Sequence, residues 1–235
     1  MTLRTRIVVM LPLLLLCLSA AHAQQERVDF QLIFRPFVGL VPLQLDTNYM
    51  LENNQTIEFS TVKFYISGVE VLRNDSVIFT EKNSYHLLDA SNEPSLHIPL
   101  SQLPAGQGTH VRFFLGIDSA TTTSGALGGD LDPTRGMFWT WQSGYIHTKI
   151  EGKCTRSTGR NREFEFHLGG YRSPFNSLQT ITLPLSSSRV IIIKMDVLKY
   201  MNSIDLAGVH HIMSPGEQAV FLSQQFASIF QVEAR

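Results

Sequence analysis

The sequence predicts an all-β protein: an antiparallel β-sandwich with one long Gly/Asp-rich loop and one C-terminal helix. Three observations carry this. Apolar and polar residues alternate along many short segments, polar turn residues separate those segments, and apolar residues at helical spacing occur only near the C-terminus.

The chain opens with a segment outside that fold. Arg4 and Arg6 precede an apolar run over residues 7–18, and Ala21-His22-Ala23 supplies a small-x-small cleavage pattern. Residues 1–23 therefore read as a signal peptide for export to the periplasm or the exterior, with the mature chain starting at Gln24. The apolar run is shorter than the roughly 20 residues a spanning helix needs, so no membrane span is expected in the mature form. Leu16 stands before Cys17 where a lipoprotein carries a small residue, which argues against lipidation.

Residues 24–235 read as a single domain, because their length suits one substantial β core and no repeat, linker or composition break divides them. The full chain has 19 Lys and Arg against 20 Asp and Glu, and cleavage removes two of the bases. That acidic balance argues against a nucleic-acid partner. Cys154 becomes the one cysteine of the mature chain, so no internal disulfide can form. It lies in the polar run 153–162, which reads as an exposed turn carrying a free structural thiol; a soft copper ligand is the weaker alternative.

The strands follow in order. Val28, Phe30, Leu32 and Phe34 alternate with Asp29 and Gln31; Val111, Phe113, Leu115 and Ile117 with His110 and Arg112; Phe164, Phe166 and Leu168 with Glu163, Glu165 and His167. Each run has one dry and one wet face, and the phenylalanines should share one core. Further strands are expected over residues 56–59, 63–72, 76–79, 85–88, 144–151 and 189–198, with Asn74-Asp75 as a hairpin turn. Near the end, Ser214-Pro215-Gly216-Glu217 reads as an N-cap, a proline at the first helical position and a capping-box acid, followed by Leu222, Phe226 and Ile229.

Residues 119–135, with Gly125, Gly128, Gly129 and Pro133, read as a long internal loop. Loops of that length in compact domains are commonly functional, and this one leads directly into the densest chemistry of the chain, GMFWTWQSGYIHTKIEG over residues 136–152. Trp139 and Trp141 share one face if the backbone is extended. Core packing and an exposed stacking platform are both open readings of such a pair. No GxSxG, P-loop, GxGxxG, HExxH or CxxC motif occurs, which removes the usual hydrolase, kinase and dehydrogenase signatures. No enzyme is expected.

The segment from Phe113 to Tyr171, including LDPTRGMFWTWQSGYI, together with VKFYISGVEVL from Val62 and YHLLDA from Tyr85, resembles the MbnP family, periplasmic copper-binding proteins associated with methanobactin operons. The resemblance covers most of the mature chain. It implies a secreted β-rich domain that binds copper, and in some members a tryptophan that a dihaem partner enzyme oxidises to kynurenine. Trp139, Trp141 and Tyr145 then become candidates for modification or for support of the metal.

Read on their own terms, seven histidines remain in the mature chain. His167 lies opposite the phenylalanines of its strand, with Gly169 and Gly170 leaving space for an approaching group. His86 follows Tyr85 in a strand ending at Asp89 and offers a second neutral imidazole to a soft ion. These two are the expected copper ligands. His147 reads as a wet-face residue, and the adjacent pair His210-His211 is a weak chelate. Asp118, Asp130 and Asp132 invite calcium in a glycine-rich loop, although the twelve-residue EF-hand frame is absent and Asx-turns account for the same residues. Three function classes follow: a copper-handling exported protein, a calcium-dependent or metal-free module stacking a sugar or peptide on Trp139 and Trp141, and a substrate of a redox partner.

Overall fold

A computed structural model describes residues 27–52, 54–106, 108–139, 144–186 and 188–233. The expected signal peptide and Trp141 lie outside the described residues. In chain order the elements are β1 (Arg27–Val38), β2 (Val41–Pro42), β3 (Asn48–Met50), β4 (Thr56–Arg73), β5 (Ser76–Thr80), β6 (Tyr85–Asp89), β7 (His97–Pro104), β8 (His110–Leu115), α1 (Ser119–Thr123), β9 (Phe138–Trp139), β10 (Gly144–Cys154), β11 (Glu163–Gly169), β12 (Gln179–Pro184), β13 (Val190–Asp196), α2 (Val197–Asn202), β14 (His211–Ile212), α3 (Glu217–Ala227) and β15 (Phe230–Val232).

They form a sandwich-like pair of sheets. The first runs β15-β13-β1-β2, with β7 also on β1; the second is organised on β4, which pairs with β3, β5, β6, β8 and β10, and extends through β11 and β12. The two segments expected over 56–59 and 63–72 are thus one continuous strand. Most pairings are antiparallel, but β1 with β13 and β11 with β14 are parallel, so the sheets are mixed. Side-chain alternation has the same period in either direction, so the pattern behind the antiparallel expectation does not register these two parallel pairings.

Between the sheets lies the main core. Phe34, Phe64, Phe113, Phe226 and Phe230 meet edge to face, with Phe34 to Phe113 at 5.7 Å and Phe226 to Phe230 at 5.5 Å between ring centroids. Phe164 and Phe166 complete the shared core expected of the phenylalanines. Each such ring contributes about 1.5–3 kcal/mol by burial. Cys154 also belongs here at 1% exposure, which corrects the exposed-turn expectation: it continues the inward phase of Ile150 and Gly152 to the last position of β10.

Two helical expectations also shift. α3 starts at Glu217 with Gly216 as an N-cap lacking a side-chain hydrogen bond, so Ser214 and Pro215 precede the helix; Pro215 instead packs near Gly170. The strand expected to reach 198 ends at Asp196, whose carboxylate accepts hydrogen bonds from the backbone N–H groups of Lys199 (3.1 Å) and Gly39 (3.2 Å) and so caps α2.

Candidate functional site

The outer face of the second sheet carries the chemistry. Strand register places Asp89, Lys63, Lys149 and His167 in one row across β6, β4, β10 and β11, and Thr61, Glu151, Glu165 and His211 in the next. Opposite charges interlock within this ladder, with Lys63 Nζ 2.8 Å from Asp89 and Lys149 Nζ 3.3 Å from Glu151, and His211 Nδ1 lies within hydrogen-bond distance of Glu165 at 3.0 Å.

Beside the ladder, the segment between β8 and β10 folds back over the same sheet and builds a second, smaller core. Tyr65, Leu87, Ile117, Leu131, Met137, Trp139, Tyr145 and Ile146 form it. Two tyrosines pin the Gly/Asp-rich loop down. The Tyr65 hydroxyl donates to the carbonyl of Asp130 (2.9 Å), and the Tyr145 hydroxyl donates to that of Leu131 (3.0 Å) while accepting from the backbone N–H of Leu127 (3.3 Å). The Tyr65 and Tyr145 rings meet edge to face at 5.7 Å. Burial, with the neighbouring Tyr145 and Asp130 adding, holds the Tyr65 hydroxyl protonated well above the ordinary phenol range. The loop is therefore not bare coil: it contains α1 and two single 3₁₀ turns.

Its carboxylates serve the loop itself. Asp118 caps α1, accepting from Thr121 N–H (2.9 Å) and Thr121 Oγ1 (2.7 Å); Asp130 accepts from the Leu87 N–H (3.0 Å) and faces Arg135; Asp132 accepts from Thr134 N–H (2.8 Å). These are the Asx-type bonds weighed against calcium, and each acid sits in a different turn.

His167 stands at the boundary between ladder and second core and is only 6% exposed. Its Nε2 lies 2.7 Å from Glu151 Oε1. That hydrogen bond, helped by Thr61 and Lys149 against the cost of burial, holds the Glu151 carboxyl down to about 2, so at neutral pH the carboxylate accepts and the imidazole donates. The ring is thereby oriented, and among the described residues its Nδ1 forms no hydrogen bond. Two residues along β11 on the same face, Gly169 supports the indole ring of Trp139. The space expected for an approaching group is thus occupied by Trp139 itself, which is 2% exposed and whose indole Nε1 has no hydrogen-bond partner among the described residues. An exposed stacking platform is not what Trp139 forms.

His86 is elsewhere. It pairs with Ile66, in phase with Phe64 and Leu88, whereas His167 pairs with Lys149 in the opposite phase, so the two expected ligands lie on opposite faces of one sheet. His86 Nε2 reaches Glu81 Oε2 at 2.9 Å, which also takes the Ser84 hydroxyl at 2.5 Å. This triangle fastens the β5–β6 connection.

His147 corrects its wet-face expectation most sharply, being 1% exposed. The register of β10 against β11 shifts between Ile146 and Thr148, so simple alternation fails there. The ring packs against Gly116, where a Cβ would come within 2.5 Å of it. Its Nδ1 is 3.1 Å from Ser177 Oγ, its Nε2 has no hydrogen-bond partner, and burial pushes it down to about 4 against the favourable influence of the Ser177 and Ile117 backbones. It is a neutral imidazole next to Ile146 and close to Ile117, both part of the tryptophan-bearing core. Only the bulge, invisible in one sequence, separates this residue from a surface histidine.

Among the described residues no group of three or more His, Cys, Asp or Glu side chains gathers closely enough to hold an ion, and no helix is long and apolar enough to cross a membrane. The family model MbnP matches residues 27–214. No curated protein matches the sequence. Among solved structures, MbnP from Methylosinus trichosporium is similar in fold, with a TM-score of 0.58 and 14% identity over 83% of this chain and 88% of that one.

Proposed function

The chain belongs to the MbnP family, and on that premise we propose that it is an exported, non-catalytic protein that binds and handles copper. The observation that carries the reading is His167: a carboxylate fixes one ring nitrogen and no other described residue takes the second, the arrangement by which proteins orient metal-binding imidazoles. Imidazole suits copper, and the ammonium of Lys149 beside Glu151 works against a strongly charged divalent ion and toward Cu(I). The residues fit the metal in part. His167 would hold it, and His147, neutral and with a bare Nε2, is the other imidazole bordering the tryptophan core. His86 stays outside this set. Copper bound there would serve acquisition or storage.

Tryptophan modification by a dihaem partner belongs to the same reading. Trp139 or Trp141 would be the residue modified, and conversion to kynurenine would add an amine and a carbonyl as further donors. Mass measurement of protein taken from its native envelope tests export and modification together. A mature chain starting at Gln24 with an altered 136–149 peptide is expected; an unprocessed N-terminus rejects export, and intact tryptophans reject modification. Cu(I) titration of the mature chain tests the metal, and no binding overturns the copper reading.

A further inference from the structure

We propose that a cleft at one end of the sandwich binds a single-chain anionic amphiphile, its alkyl chain between the sheets and its acidic head at Arg189. The cleft has a volume of about 430 Å³, within the range of small-molecule sites. Val28, Phe30 and Leu103 form its wall on the first sheet, and Val71 and Leu185 its wall on the second. Val28 and Phe30 continue the inward phase of Leu32 and Phe34, yet they are only half-buried. Their strand shifts register against β7 between these two positions. Among the described residues, core-phase side chains therefore face one another across a gap that none of them fills.

Gly108 marks one side of the gap: a Cβ there would stand 2.6 Å from Val71 and 2.9 Å from Leu185, so its bare backbone lies directly against the second-sheet wall. Among the described residues, one charged group lines the cleft, the exposed Arg189, and its guanidinium has no acidic partner there. Apolar walls select a hydrocarbon chain, and an unpaired cation at the rim selects a carboxylate end.

Isothermal titration of the mature protein with dodecanoate, kept below its micelle concentration, tests this. Saturable binding of one molecule per chain is expected, with dodecyltrimethylammonium, which has the same chain and the opposite charge, binding more weakly. Arg189→Gln should weaken dodecanoate by about three- to fivefold, the range of an exposed ion pair, and Val28→Trp should abolish it by filling the mouth. Absence of saturable binding, equal affinity for the two amphiphiles, or unchanged affinity in Arg189→Gln overturns the proposal. Should Val28→Trp lose its β-sheet circular dichroism, Arg189→Gln, a surface change, decides alone.

Discussion

The indole of Trp139 occupies the volume that a side chain at Gly169 would need. A Cβ there would stand 2.7 Å from Cζ3 and 3.0 Å from Cη2 of the ring, and 2.8 Å from the carbonyl oxygen of Tyr145. Neither a buried ring nor strand backbone can yield cheaply. Gly169→Ala should therefore cost about 1–3 kcal/mol through overpacking, read as a lower urea midpoint with unchanged slope. Unaltered stability would place the ring elsewhere.

The buried imidazole of His147 makes stability depend on pH. Its folded pKa, about 4, lies below the ordinary 6.5, so between these values the unfolded chain binds the extra proton. Stability is then unaffected above about pH 6.5 and falls as pH drops toward 4, by up to about 3 kcal/mol. Denaturation at pH 7, 6, 5 and 4 should show this decline, flattened in His147→Gln. Parallel curves for the two proteins would remove His147 as its source.

Glu151 acts in a lower window. Its carboxyl is held down to about 2 against 4.5, so its contribution is complete above pH 4.5 and is lost as pH falls toward 2. Copper separates the two partners further. His167→Ala should abolish or strongly weaken Cu(I) binding, and Glu151→Gln should weaken it about 10–100-fold, because the ring loses its orienting acceptor. His86→Ala, on the other face, should bind as wild type. Copper affinity unchanged in His167→Ala would take that residue out of the site.

The loop over the second core hangs on two phenols. Tyr65→Phe and Tyr145→Phe each remove hydroxyl bonds to loop backbone groups, at about 0.5–1.5 kcal/mol per bond. Hydrogen exchange should quicken at Leu127 and Leu131 in Tyr145→Phe, while amides of β1 and β13 keep their protection. Uniform loss of protection across both sheets would mean that the loop does not open by itself.

How much of this was legible before folding depends on the residue. Strand alternation placed Phe34, Phe113, Phe164 and Phe166 in one core and His167 on the opposite face, because that periodicity is local. The partner of His167 was not legible, since Glu151 meets it only through register between two strands. The parallel pairing of β1 with β13 left no mark either. His147 and Cys154 both turn out buried, for different reasons: a bulge removes the parity of the first, while polar neighbours disguise the inward phase of the second. Gly169, taken as open space, is filled by a ring from thirty residues upstream.

The pairing of Gln31 with Val190 through Phe37 with Asp196 has a consequence in time. β1 precedes β13 in the chain, and the edge the two strands share can close only when residues 190–196 exist. Long-range parallel pairing is slow to form because a large loop must close before any contact rewards it. The growing chain accordingly keeps that edge of β1 open until residues 190–196 have been made. A polypeptide arrested in that state can still be drawn lengthwise through a narrow passage.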